Sequence, residues 1–127
     1  MKNLQLPLTK DWFDLTKSGQ KTEDYRDITP RFCNRFLFYE GQEKPIWWWK
    51  SLIEFSSSNR IEAISTNICF TFKQFENNIM TLGYPKKTNT EKIVTLEHKG
   101  IEIREGNPEW GAELGKFYFV IKHGKIL

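Results

Sequence analysis

Leucines alternate with polar residues and a proline over Leu4, Leu6 and Leu8, which predicts a short first strand. Thr9 follows as an N-cap. Trp12, Leu15 and Phe13 then place an apolar side on a two-turn helix that Gly19 closes. An extended segment is expected over residues 21–27. Thr29-Pro30 reads as a cap with proline at the first helical position. The helix it opens has Phe32, Phe36 and Leu37 on its apolar face and Arg31 and Arg35 four residues apart on one side. A polar loop around Gly41 leads to Pro45, which opens a third helix over 46–55 carrying Trp47, Trp48 and Trp49 and ending at Ser56–Asn59. At least one of these three indoles must face solvent or a partner, because consecutive helical residues point in different directions.

The second half is strand-like. Strands are expected over 61–72, 78–84, 91–96 and around Ile101 and Ile103, with turns at His98-Lys99-Gly100 and Gly106-Asn107-Pro108. The apolar run within 116–122 is continuous and fits a buried interior strand. Early helices followed by strands and glycine turns predict an α+β chain: a small mixed β-barrel with two or three short helices.

The segment after Gly19 departs from this pattern. In an extended chain Lys21, Glu23 and Tyr25 face one side and Thr22, Asp24 and Arg26 the other. A strand polar on both faces either lines a polar pocket or forms a solvated ladder of charges.

Composition narrows the classes. A chain of 127 residues fits one domain, and 15% aromatic residues, with five Trp and ten Phe, exclude a disordered segment. The net charge of +3 permits nucleic acid without requiring it. Cys33 and Cys69 have no metal-ligand spacing and are expected as free thiols of a reducing compartment. His98 and His123 stand alone near turns. No metal site is expected, nor any cofactor, because the chain carries neither a P-loop nor a dinucleotide fingerprint. No apolar run nears the ~20 residues of a membrane span, and the N-terminus lacks a signal-peptide core, so a cytoplasmic protein without membrane association is expected.

Three blocks of sequence carry a resemblance. Leu6-Pro7-Leu8, Trp12-Phe13 and Gly19-Gln20-Lys21-Thr22-Glu23-Asp24-Tyr25-Arg26 form the first. Phe72-Lys73-Gln74-Phe75 through Leu82-Gly83-Tyr84 form the second. Asn107-Pro108-Glu109-Trp110-Gly111-Ala112-Glu113, then Gly115-Lys116 and Tyr118-Phe119-Val120-Ile121-Lys122, form the third. Together they resemble the ASCH domains, small β-barrels related to the PUA RNA-binding fold, and in particular a bacterial and phage subgroup. The resemblance covers about residues 4–38 and 70–127, leaving 39–69 as an insertion in a single domain of 1–127.

The resemblance implies an RNA- or nucleotide-binding cleft. It also implies an alternative, since a few small members are amidohydrolases that deacetylate acetylcytidine through a Lys-Thr-x-Thr-x-Arg motif and a later glutamate. Lys21 and Arg26 match that lysine and arginine. Asp24 stands where the nucleophilic threonine would be and offers a carboxylate in place of a hydroxyl. Glu113 or Glu109 is the candidate for the glutamate. The expected ligand-binding residues are therefore Lys21, Glu23, Asp24, Arg26, Trp110, Glu113 and Tyr84; Lys21, Asp24 and Glu113 form the catalytic set if the chain is an enzyme.

In that reading Arg26 and Lys21 meet phosphate or a carbonyl, Glu23 or Asp24 accepts from a base amino group, and Trp110 stacks on a base. Tyr84, with Lys86 and Lys87, either tracks a phosphate backbone or belongs to a solvated loop. A third reading makes the tryptophan insertion a protein-interaction surface.

Overall fold

Strand β1 (Leu4–Leu8) forms where the leucines alternate, and all three leucines are buried. It leads into helix α1 (Lys10–Lys17), strand β2 (Glu23–Arg26) and helix α2 (Pro30–Phe36). Strand β3 (Leu37–Tyr39), helix α3 (Ile46–Glu54) and strand β4 (Phe70–Phe72) follow, then β5 (Asn77–Leu82), β6 (Ile93–Glu105) and β7 (Phe117–Ile126). The computed structural model describes residues 1–54 and 69–127. The expected helix end at Ser56–Asn59 and most of the strand expected over 61–72 lie outside the described residues. Among them the chain is α+β, with three α-helices, a five-stranded mixed sheet in the order β1-β5-β6-β7-β2, and a two-stranded pair β3-β4.

Its packing divides into two compact units. The first comprises residues 1–24, 74–100 and 121–127; the second comprises 25–73 and 101–120. Strands β2, β6 and β7 each run from one into the other.

In the first unit β1 lies parallel to β5, with Leu6 opposite Met80, and β5 lies antiparallel to β6, with Asn78 opposite Leu96. Leu4, Leu6, Leu8, Met80, Val94 and Leu96 are buried, and α1 packs on β5. Phe13 is the core residue of α1, and Trp12 and Leu15 are only half-buried.

In the second unit α2 packs on α3. The Phe36 ring meets Phe119 edge-on at 5.2 Å and stacks on Phe32 at 5.5 Å. The tryptophans divide as helical geometry demands: Trp49 is fully buried and donates from Nε1 to the Lys44 carbonyl (3.2 Å), whereas Trp47 is 68% exposed. Ala112, Tyr118 and Val120 form a further core with Tyr25. Gly106 is required there, because a Cβ would lie 2.7 Å from Ala112 and 2.8 Å from the Tyr25 ring.

Two expectations are corrected. The turn at His98-Lys99-Gly100 is absent, because β6 is one strand of 13 residues. Its buried positions switch from even (Val94, Leu96) to odd (Ile101, Ile103), so the alternation slips by one residue. Gly100, at φ 105°, takes up that slip in a conformation side chains rarely adopt. Leu37 belongs to β3, outside the apolar face of α2, and the buried residues of that helix are Cys33 and Phe36. Burial pushes the Cys33 thiol up to about 12, and neither cysteine is in a disulfide.

The two threonine caps differ in a way that can be measured. Thr29 Oγ1 accepts from the Phe32 amide (3.2 Å), whereas the Thr9 side chain makes no capping bond. Thr29→Ala is expected to cost about 1 kcal/mol in urea unfolding and Thr9→Ala a few tenths at most; equal costs would contradict this assignment.

Candidate functional site

Lys21 follows α1, tied to it by the bond from its amide to the Leu15 carbonyl (3.0 Å). Its ammonium donates to the Glu23 carbonyl (2.6 Å), lies 3.6 Å from Asp24 Oδ1 and sits 5.7 Å from the centre of the Trp12 ring. Lys21 is 2% exposed and Asp24 4%. Strict alternation placed these two side chains on opposite faces. Instead they meet, because β2 begins only at Glu23 and residues 21–22 approach it outside the strand's pleat. The result is a buried ion pair in the first unit. Such a pair rarely stabilises a fold, since the lost hydration of two charges offsets their attraction.

Beside it lies a buried polar chain that joins residues far apart in sequence. Asn78 is fully buried on β5. Its Nδ2 lies 3.2 Å from the Lys122 carbonyl and 2.8 Å from His123 Nδ1, and its Oδ1 lies 2.7 Å from His98 Nδ1. The Lys122 carbonyl only accepts, so the amide nitrogen must face it. Asn78 then donates to His123 Nδ1, and His98 donates from Nδ1 to Asn78 Oδ1. A neutral His123 whose Nδ1 accepts carries its proton on Nε2. Among the described residues, His123 Nε2 is the buried side-chain atom that finds no hydrogen-bond partner. An unmet donor of this kind costs about 1–3 kcal/mol.

His123 also belongs to the neighbourhood of the ion pair. Its amide donates to the Thr22 carbonyl (2.9 Å), which sets it across from the approach to β2. Burial pushes its imidazole down to about 4; Asp24 and Glu23 pull it up, and Lys21 and His98 push it further down. His98 is also lowered, by burial first and then by Lys122. Both rings are therefore neutral at pH 7.

The other expected residues are placed as follows. Glu23 is half-buried in β2, and Tyr84 is 91% exposed in the first unit. Arg26, Trp110 and Glu113 belong to the second unit. Arg26 lies over the Phe32 ring (5.9 Å). Trp110 is half-buried in a short 3-10 turn, Pro108–Trp110, and Glu113 is exposed. Two tyrosine hydroxyls hold that loop, Tyr25 accepting from the Asn107 amide and Tyr118 from the Glu113 amide, each at 2.9 Å. Arg35 is lowered by burial and then by its neighbours Arg26 and Arg31.

Asn78 and His123 are the site residues that sequence reasoning missed. A polar residue within the apolar strand pattern of β5 was the available signal for Asn78. No helix among the described residues is long and apolar enough to cross a membrane. No family model, curated protein or solved structure matches the chain.

Two outcomes follow from the buried groups. Lys21→Met alone removes the ammonium that faces the buried Asp24 carboxylate and is expected to cost about 3–5 kcal/mol, whereas Lys21→Met with Asp24→Leu is expected to be neutral or stabilising. A double variant as unstable as the single one would contradict this. His123 has a folded pKa below its unfolded value of about 6.5, so the unfolded chain binds the extra proton between those values. Its contribution is complete above pH 6.5 and is lost as pH falls towards 4, a change on the order of 3 kcal/mol. Urea unfolding of the wild type at pH 7.5 and 4.5 is expected to show a larger difference than the same pair of measurements on His123→Phe; equal differences would contradict the assignment.

Proposed function

We propose that this chain is an ASCH-type, PUA-like protein that binds RNA or a nucleotide through its base, in a polar site made of Lys21, Glu23, Asp24 and His123. The observation that carries the reading is the burial of Lys21 and Asp24 as a pair at the polar motif of the resemblance. A fold gains little from such a pair, and perturbed or buried charge clusters concentrate where proteins recognise or transform ligands. In this reading Asp24 accepts from a base amino group and Lys21 holds the carboxylate in place. The mixed sheet and three short helices of the described residues are compatible with the barrel class that the resemblance implies.

An amidohydrolase acting on a modified nucleoside is the second reading. It is favoured by the same pair, since Lys21 and Asp24 occupy two positions of the catalytic set that the resemblance implies and lie 3.6 Å apart. There Lys21 would stabilise developing negative charge and Asp24 would act as the base.

The test is a binding and turnover screen on the purified chain with short RNAs, single-stranded DNAs and free nucleosides, acetylcytidine included. Lys21→Ala and the shape-conserving Asp24→Asn serve as controls. Binding that falls at least tenfold in both variants, with no product, is the expected result. Acetate release lost in both would move the assignment to the enzyme. No binding to any of these ligands, or binding indifferent to both substitutions, would overturn the reading.

A further inference from the structure

Among the described residues His123 Nε2–H finds no acceptor, in a ring whose other nitrogen is already committed. The ring cannot turn over to relieve it. A flip would remove the acceptor that Asn78 Nδ2 meets, and the Lys122 carbonyl holds the Asn78 amide against a compensating flip. His98, donating to Asn78 Oδ1, locks the other end. The chain His98–Asn78–His123 therefore presents one proton, at one nitrogen, in one tautomer. His123 is 8% exposed, and the groups acting on it are Asp24, Lys21, His98 and Glu23.

These charges select the class of acceptor. The carboxylates of Asp24 and Glu23 both act on the ring. A phosphate oxygen brought to Nε2 would be repelled by both, whereas a neutral carbonyl oxygen would meet a fixed donor and no such repulsion. We infer that His123 Nε2–H is a specificity-determining donor for a neutral ring carbonyl of the bound nucleobase, an inference that rests on the nucleobase-binding reading above. Asp24 supplies the acceptor and His123 the donor, so together they suit a base edge bearing an amino group and a carbonyl, while phosphate is recognised elsewhere or not at all. Asn78 and His98 act as positioning residues that fix the tautomer.

The test has two readouts on the full-length chain. The first needs no ligand: nitrogen-15 NMR of the imidazoles at pH 7. The expected spectrum shows His123 neutral and protonated on Nε2. A His123 that is cationic or protonated on Nδ1 overturns the inference whatever the chain binds.

The second readout is affinity for uridine and cytidine against their 2-thio counterparts and 4-thiouridine, since sulfur accepts hydrogen bonds weakly. The wild type is expected to prefer the oxo form of at least one pair by about tenfold. His123→Phe is expected to lose that preference and His123→Gln, which keeps a donor, to retain part of it. Should His123→Phe fail to fold, the wild-type preference together with the Gln variant decides. Binding without any oxo preference would overturn this inference and leave the nucleobase reading standing. No binding to nucleoside, nucleotide or RNA would overturn both.

Discussion

A lysine and an aspartate that surrender nearly all their hydration must be compensated locally, and in this chain each takes part in compensating the other. Lys21 and Asp24 stand 3.6 Å apart, and the Glu23 carbonyl takes a bond from the same ammonium at 2.6 Å. The surrounding structure is arranged around that demand. Helix α1 ends with a bond from the Lys21 amide to the Leu15 carbonyl, so the lysine is delivered at a set height. Strand β7 brings His123 opposite Thr22 through a backbone bond of 2.9 Å. Removing either charge takes that compensation from the other, a larger loss than the pair's net contribution. Such a pair gives a local polar geometry that apolar packing cannot provide.

Asn78 extends that geometry across the sheet. One amide connects residues 20 and 45 positions away, His98 and His123, and also takes up the Lys122 carbonyl. Each contact uses one of the side chain's hydrogen-bonding groups, and their directions are mutually exclusive with a flipped amide. Buried polar networks of this kind specify a single arrangement when every member is satisfied. Here one atom is left over among the described residues, His123 Nε2, beside the buried ion pair of Lys21 and Asp24. The leftover donor and the costly pair are two departures from an ideal core in the same place, and this coincidence is what gives the site its functional reading.

Much of the scaffold was legible in the sequence. The alternating leucines of β1, the proline-led cap of α2 and the apolar run of β7 are local patterns, and local patterns survive into the structure. The conflict among three adjacent tryptophans was legible for the same reason: Trp47 faces out and Trp49 in. What failed was long-range or depended on phase. Alternation from residue 21 puts Lys21 and Asp24 on opposite faces, yet β2 begins two positions later, at Glu23. Glycine at His98-Lys99-Gly100 punctuates the pattern as a turn would, yet the strand continues through a one-residue slip. The two histidines looked isolated because their partner, Asn78, is reached only when β5, β6 and β7 lie side by side.

The central claim is that the buried cluster of the first unit meets a nucleobase. The most direct measurement is the mapping of backbone amide shifts across the whole chain while cytidine or uridine is titrated in. Perturbations concentrated at residues 21–24, 78, 98 and 123 are the predicted result. Perturbations confined to the exposed Trp47, or to Tyr84 and its lysines, with the cluster unmoved, would contradict it.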